Sequence, residues 1–243
     1  SGHFLSEEAA EKVYETREKA AAYFGTEPDG IIFTKNATEA LNLAIFSAAK
    51  RGARSFLCSD AEHNSVLRPL AAVKREFGAE IGYFSFSYPD FRGQEPEVVV
   101  CTAASNVTGN IADIEKIVGF CKEKNCLLIT DASQTAGYGV PFFGDIVCTA
   151  GHKGLCGPQG TGIAAIKSER GRNVLLPLLY GGNGTDSLSL SPEDVFPESF
   201  ECGTVNTAAL VGLKEGIEFV SENGKRILRK EKELQRIAYD FLS

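Results

Sequence analysis

The chain has 243 residues, of which 43% are hydrophobic and 23% are charged, and this composition is typical of a globular protein and not of a disordered one. Its formal net charge of −7 argues against nucleic acid as the main partner, because a phosphate backbone is bound by clustered Lys and Arg. No apolar run reaches the ~18 residues of a membrane-spanning helix, and no signal pattern opens the sequence, so we expect a cytoplasmic protein that does not bind a membrane.

Seven apolar segments rich in Ile, Val and Phe alternate with stretches that carry apolar residues at helical spacing. Continuous apolar strands are typical of a sheet that is covered on both faces. The alternation therefore predicts an α/β fold, with a mostly parallel seven-stranded sheet and helices on both of its faces. The predicted strands cover residues 30–34, 55–59, 81–86, 97–103, 126–132, 145–150 and 162–167, and the predicted helices cover residues 6–24, 37–50, 64–76, 112–124, 208–222 and 224–243.

The seven cysteines are an odd number, and most of them lie in the apolar runs. Reduced and buried thiols are therefore expected, not disulfides. Cys121 and Cys126 in "CKEKNC" suggest a metal site, but no second pair or nearby histidine completes four ligands at zinc spacing. We expect both cysteines to be core residues and expect no metal site.

Polar residues follow most of the predicted strands, at the edge where α/β sheets bind ligands. Thr38 and its neighbours begin a predicted helix, whose free N–H groups favour an anion, although a plain N-cap would use the same residues. Asp131 ends a strand, where its carboxylate either needs a cationic or donating partner or caps the next turn. The polar residues at this edge, given with the Ala37 that stands among them, are Asn36, Ala37, Thr38, Glu39, Glu62, His63, Asn64, Asn106, Asp131, Gln134, His152 and Lys153.

Lys153 stands between a strand and a glycine-rich loop in "DIVCTAGHKGLCGPQGTG". A lysine in a partly desolvated site loses its proton more easily and can form an imine. Pyridoxal phosphate requires an anion site, a carboxylate for its pyridinium nitrogen, a stacking ring and a lysine. The residues at this edge together predict a pyridoxal phosphate site.

Seven segments of the chain, taken in order, can be compared with the sequence motifs of known families. They are "SGHFLSEEAAEKVYETREKAAAYFG", "IIFTKNATEALNLAI", "EHNSVLRPL", "ASNVTGNI", "TDASQTAG", "GHKGLCGPQGTG" and "ECGTVNTAALVGL". They resemble the successive blocks of class V aminotransferases, in particular the cysteine desulfurase-like branch. The resemblance covers nearly the whole chain. It implies a fold of the pyridoxal phosphate-dependent transferase type.

The resemblance also implies a role for each matched residue. Lys153 would hold the cofactor through a Schiff base and then move protons as a base. Asp131 would pair with the pyridinium nitrogen, and Gln134 would donate to the ring hydroxyl oxygen. The other roles implied are stacking on the ring by His63, phosphate binding by Ala37, Thr38 and His152, a place near the substrate carboxylate for Asn106, and phosphate binding across the subunit boundary by Thr204.

By the same resemblance, the protein would be a homodimer with a shared active site. It would remove sulfur from L-cysteine, leaving alanine and an enzyme-bound persulfide, and a sulfur-acceptor protein would be a further partner. Selenocysteine lysis and transamination of another amino acid are alternatives on the same scaffold. An inactive cofactor-binding or dimerisation fragment is an alternative of a different class.

The family pattern implies that residues 1–222 form the large cofactor-binding domain, and that residues 223–243 form a helix leading toward a small C-terminal domain absent from the sequence. The family's mobile catalytic cysteine and its carboxylate-binding arginine would lie in that absent part. We therefore expect that none of the seven cysteines carries the persulfide. Ala150 stands where relatives usually have Ser or Thr, so one phosphate contact fewer is expected.

Overall fold

The structure, a computed structural model, describes residues 4–182 and 195–242. Its helices are α1 (Phe4–Phe24), α2 (Ala37–Lys50), α3 (Asn64–Phe77), α4 (Ile114–Lys124), α5 (Glu169–Val174) and α6 (Thr207–Leu242). Its strands are β1 (Ile31–Thr34), β2 (Ser55–Ser59), β3 (Glu80–Phe84), β4 (Val98–Thr102), β5 (Leu127–Asp131), β6 (Ile146–Ala150) and β7 (Gly162–Ile166).

The seven strands form one sheet in the order β1-β7-β6-β5-β4-β2-β3. Strand β7 is antiparallel to both of its neighbours, and the other neighbouring strands run parallel. The predicted α/β fold with a mostly parallel seven-stranded sheet is confirmed. Six strands therefore point their carboxyl ends toward one edge of the sheet, where parallel α/β sheets bind ligands.

Every residue of β4, β5, β6 and β7 is buried, because both faces of the sheet are covered. Alternation along β6 shows this directly: Ile146 and Cys148 pack with α2 and α3, whereas Val147 packs with α1 and α6. Helix α4 covers the β4 and β5 part of that second face. Burial of each large apolar side chain here contributes about 1.5–3 kcal/mol to folding.

Strand β1 is an edge strand, and an ion pair covers its open side. Arg17 of α1 donates from Nη1 to the Ile31 carbonyl oxygen at 2.5 Å, and Glu201 accepts from the Phe33 N–H at 2.6 Å. The two charged groups also bind each other through two hydrogen bonds of 2.9 and 2.8 Å. Two backbone groups on the open side of β1, the Ile31 carbonyl and the Phe33 N–H, are thereby satisfied, which helps to protect this edge from pairing with another strand.

Two features of the helices differ from the sequence-based prediction. The two helices predicted over 208–222 and 224–243 are one continuous helix, so the prediction of a break was wrong. Gly224 lies inside α6 and is buried, and a Cβ at this position would lie 3.2 Å from the Gly137 carbonyl oxygen. Ser243, the last residue predicted to be helical, lies outside the described residues. Helix α5 was not predicted; its N-cap, Ser168, accepts from the Gly171 N–H.

None of the helices in the described part of the chain combines the length and the apolar character needed to cross a membrane.

Candidate active site

The start of α2 forms one side of the candidate site. Asn36 is the N-cap of this helix, and its side-chain oxygen accepts from the Glu39 N–H at 2.9 Å. Ala37 follows as a buried residue and Thr38 as an exposed one. The first N–H groups of a helix have no acceptor within the helix, so this end suits a phosphate as well as it suits an N-cap.

His63 and Thr38 are connected through Ser65. The Ser65 hydroxyl lies 2.8 Å from His63 Nδ1 and 2.8 Å from Thr38 Oγ1. The Ser65 N–H also donates to His63 Nδ1 at 3.1 Å, so this nitrogen is an acceptor and a neutral ring carries its proton on Nε2. The starts of α2 and α3 are therefore joined, and they line a cavity of ≈ 360 Å³ together with Arg68. Sequence reasoning gave Ser65 no role, although it lies within the "EHNS" segment.

Asp131 ends β5 and is buried, with 5% of its surface exposed. Its Oδ1 accepts from the Ser133 N–H at 2.9 Å. Among the residues that the structure describes, no Lys, Arg or His forms an ion pair with it. A buried carboxylate without a cation is costly, so this position fits the protonated nitrogen of a bound pyridine ring. Gln134 follows in the next turn and is half-buried.

A close backbone approach joins the turn after Asp131 to the loop of Lys153. A Cβ on Gly137 would lie 1.8 Å from the Gly154 carbonyl oxygen, so only glycine fits at this contact. The approach explains why glycine follows the lysine directly. Lys153 itself is exposed in the single chain, which differs from the partial burial expected from the sequence.

Lys167, the next lysine along the chain, is already engaged. Its Nζ donates to the Phe24 carbonyl oxygen, and burial lowers the pKa of its ammonium group. It lies at the far end of β7 from the candidate site. Of these two lysines, Lys153 is the one available to a ligand at the strand edge.

A second cavity of ≈ 600 Å³ lies beside the start of α2. It is lined by Asn36, by His152 from the loop after β6, and by Thr204 and Cys202 from the loop before α6. Thr204 therefore lies near His152 of its own chain. Asn106 does not line either cavity; it is exposed in the turn after β4.

Glu62 precedes His63 and is buried, with 8% of its surface exposed. Its Oε1 accepts from the Ser59 hydroxyl and from the Thr102 N–H, the latter at 2.7 Å. The pKa of its carboxyl group is raised to about 8, mainly by burial and also by the nearby Asp131 charge, against the lowering effect of the hydrogen bonds from Ser59 and Thr102. Sequence reasoning placed Glu62 at this edge but gave it no role.

Five of the seven cysteines are buried, as the sequence predicts, whereas Cys156 is exposed and Cys202 is half-buried. Burial raises the pKa of the Cys58 thiol to about 12, which makes it unreactive. No group of metal ligands is present in the ranges 4–182 and 195–242.

Thr149 and Ala150 are both buried at the end of β6, and the Thr149 hydroxyl donates a hydrogen bond to the Ala150 carbonyl oxygen.

The sequence pattern of the family described as "Aminotransferase class-V" matches residues 1–243. The chain belongs to the class-V aminotransferases. Among the relatives of this class-V aminotransferase is a probable cysteine desulfurase of Methanothermobacter thermautotrophicus, which is 30% identical over 91% of this chain and 59% of the relative. A probable cysteine desulfurase of Pyrococcus abyssi is 29% identical over 96% of this chain and 62% of the relative.

Solved structures agree with this family. The apo structure of cysteine desulfurase from Thermococcus onnurineus NA1 superposes with a TM-score of 0.88 at 29% identity, covering 99% of this chain and 64% of that one. A structure described as a NifS-like protein superposes with a TM-score of 0.86 at 25% identity. This class-V aminotransferase spans about three fifths of the length of the two curated relatives, which are covered to 59% and 62%.

Proposed function

We propose that this class-V aminotransferase binds pyridoxal phosphate at the carboxyl edge of its sheet and serves the removal of sulfur from L-cysteine. The observation that carries the proposal is the buried Asp131 carboxylate, which has no cationic partner within the described residues. The contact between Gly137 and Gly154 keeps the Lys153 loop against the turn that follows this carboxylate. A ligand with both a cationic ring nitrogen and an aldehyde matches this pair of residues.

Each residue at this edge would have one task. Asp131 would keep the ring nitrogen protonated, so that the bound ring withdraws electrons from the substrate carbon. Lys153 would bind the cofactor covalently through Nζ and, once released by the substrate amine, take up and return a proton. Gln134 would donate to the ring hydroxyl oxygen.

His63 would lie on the face of the ring, where Ser65 fixes its orientation through Nδ1. The phosphate would bind at the start of α2, where Ala37 and Thr38 offer N–H groups and His152 approaches from the loop after β6. Thr204 would contribute a hydroxyl from the neighbouring subunit of a homodimer. Asn106 would bind near the carboxylate of the substrate.

The relatives support L-cysteine as the proposed substrate, because both are named as probable cysteine desulfurases. In that reaction the carbon–sulfur bond breaks, the sulfur passes to an enzyme thiol, and the carbon takes up a proton to give alanine. A sulfur-acceptor protein would then receive the sulfur. Selenocysteine lysis and transamination are the alternatives that a substrate screen must separate.

Covalent labelling tests the cofactor site. Borohydride reduction of the protein loaded with pyridoxal phosphate, followed by peptide mapping, should label Lys153 and give no label on Lys167. The Lys153→Ala chain should lose the yellow absorbance of the bound cofactor, and the matched Lys167→Ala chain should keep it. A label on Lys167, or on no lysine, would contradict the assignment.

The substrate is tested by measuring sulfide and alanine from L-cysteine, selenide from selenocysteine, and keto acid from other amino acids. With dithiothreitol present to reduce the enzyme persulfide and release its outer sulfur as sulfide, equal amounts of sulfide and alanine should form from L-cysteine. If only another amino acid is turned over, that amino acid is the substrate and the assignment of L-cysteine is wrong. Cofactor binding without any turnover would favour an inactive cofactor-binding fragment.

A further inference from the structure

The carboxyl group of Glu62 connects the turn that carries His63 to the neighbouring strand β4. Glu62 Oε1 accepts from the Ser59 hydroxyl at the end of β2 and from the Thr102 N–H at the end of β4. His63 is the next residue in the chain and begins α3 as its N-cap. The Glu62 side chain therefore attaches the residue before His63 to the end of β4.

The same turn is also attached on its other side. The Asp60 N–H donates to the Phe84 carbonyl oxygen at 3.0 Å, and Asp60 Oδ1 accepts from the Phe86 N–H at 2.8 Å. The turn between β2 and α3 thus has one anchor on β3 and one on β4. Only the anchor on β4 is buried beside the candidate cofactor site.

The surroundings of Glu62 offer no compensation for a negative charge. Its Oε2 is buried and has no hydrogen-bond partner, and no ion pair joins Glu62 to a Lys or Arg in the described ranges. The titratable groups that face it are Cys58 on β2, Cys101 on β4 and Asp131 on β5. Burial keeps both thiols neutral by raising their pKa. Asp131 is therefore the charged neighbour, and its negative charge would repel a negative charge on Glu62.

We propose that Glu62 is a positioning residue that is a neutral carboxylic acid at pH 7: it ties the His63 turn to β4 without placing a second negative charge beside Asp131. A buried carboxylate with one unpartnered oxygen and a like charge nearby costs more free energy than the protonated group. The direction of the pKa shift of this carboxyl group agrees with that argument.

The inference deepens the proposed function in one respect and is independent of it in another. If Asp131 holds the ring nitrogen of pyridoxal phosphate, a neutral Glu62 adds no second negative charge near that nitrogen. The Asp131 carboxylate is then the charged group that pairs with it. The protonation of Glu62 and its hold on His63 are properties of the chain without any cofactor, and they can be measured in that state.

The protonation is tested by carboxyl-carbon NMR of the cofactor-free chain with labelled glutamate. One glutamate resonance should titrate with a midpoint at about pH 8, and it should be missing in Glu62→Gln. The matched Glu95→Gln variant, which changes an exposed glutamate of the surface pair with Lys124, should leave that resonance in place. If every glutamate resonance titrates below about pH 6, close to the ordinary range of the residue, Glu62 is ionised at pH 7 and the proposal is wrong.

The hold on His63 is tested by the ring resonances of the histidines, of which the chain has three. Glu62→Gln keeps an acceptor for Ser59 and Thr102, so the His63 resonances should remain within a line width of their original positions. Glu62→Ala removes the acceptor, so these resonances should shift while those of His152 do not. Equal shifts in both variants would show that the charge is needed, and no shift in either would show that Glu62 does not position His63.

Cofactor affinity gives a third readout. Glu62→Gln should bind pyridoxal phosphate within about threefold of the original chain, whereas Glu62→Ala, with an unchanged circular dichroism spectrum, should bind at least about tenfold more weakly. A tenfold loss in Glu62→Gln would overturn the neutral role. If the original chain does not bind the cofactor, the proposed function fails, and the two NMR tests still decide the role of Glu62.

Discussion

Arg17 and Glu201 join three separate parts of the fold through one buried ion pair. Their side chains are 9% and 7% exposed, and the guanidinium group binds the carboxylate through two parallel hydrogen bonds. The Arg17 guanidinium also lies over the Phe33 ring at 4.6 Å from its centroid. Because Glu201 begins the segment that carries Thr204, this pair holds that loop against α1 and the edge strand.

Arg17→Ala should lower the free energy of unfolding by about 3–5 kcal/mol, because it leaves the Glu201 carboxylate buried without its cation. Urea denaturation measures the change. Lys230→Ala, which breaks an exposed pair with Glu233 in which both side chains are about 60% exposed, should cost less than about 0.5 kcal/mol. A similar small loss in both variants would mean that the buried pair does not stabilise the fold.

Glu62 should make stability depend on pH in a definite direction. Its pKa is raised to about 8 in the folded chain from 4.5, so the folded state binds this proton more tightly than the unfolded state. The contribution of this group to stability is complete below about pH 4.5, falls by at most roughly 1.4 kcal/mol per pH unit, and is lost by the time the pH has risen through about 8. Urea denaturation of the cofactor-free chain across this window should show that its free energy of unfolding falls more steeply with rising pH than that of the Glu62→Gln variant. Parallel curves for the two proteins would contradict this expectation.

At the scale of the elements, the packing of α6 against the Lys153 loop depends on a glycine in the helix. A Cβ on Gly216 would lie 2.4 Å from the Leu155 carbonyl oxygen, which is a backbone atom and cannot rotate away. The helix therefore approaches the loop more closely than any other residue type would allow. This contact fixes the loop at a second point, in addition to the contact between Gly137 and Gly154.

Gly216→Ala should destabilise the chain by about 1–3 kcal/mol through overpacking, and it should weaken cofactor binding because the Lys153 loop must move. Gly119→Ala in α4 is the matched control, since a Cβ there meets nothing within 4 Å. That variant should be more stable by up to about 1 kcal/mol, because alanine favours a helix over glycine. Thermal unfolding and absorbance titration measure both variants; equal effects would show that the contact at Gly216 is unimportant.

The strands could be predicted to within one or two residues from their apolar runs, because a doubly covered sheet needs continuous apolar segments. The direction of β7 is not encoded in such runs, although a signal exists: the segment from Gly151 to Thr161 contains no helix and is too short for a typical parallel crossover. The continuity of α6 through Gly224 could not be predicted, since a glycine that ends a helix and one that permits a close contact look alike in the sequence.

The candidate site could be predicted as a set of strand-end residues but not as a set of contacts. Ser65 and Glu62 flank His63 in the sequence, yet their roles arise from the approach of Thr38 and Thr102, which come from distant parts of the chain. Local patterns do not reveal which helix start or strand end will be the neighbour. The exposure of Lys153 was missed for the same reason, because the burial of a loop depends on everything packed around it.

For the whole molecule, the sharing of the site between subunits is an open prediction with a sharp test. Thr204 lines a cavity with His152 of its own chain, and the family resemblance assigns it to the phosphate of the neighbouring chain. Mixing a Lys153→Ala chain with a Thr204→Asp chain should restore part of the cofactor binding, because one site of the mixed dimer has both residues intact. If subunit exchange is proven and no binding returns, both residues act within one chain.

Strand β1 also has a consequence for the order in which the chain can fold. Ile31 pairs with Ala165, so β1, which precedes the other six strands in the described part of the chain, joins the sheet only once β7 is present. Closing so long a loop carries an entropic cost, and contacts between distant segments form late. Pulse-labelled hydrogen exchange should therefore show the β1 amides becoming protected together with those of β7, and not with those of the helix α2 that follows β1. During synthesis, the parallel strands β2, β4, β5 and β6 can assemble first, and the edge closes only when the ribosome has released Gly162–Ile166.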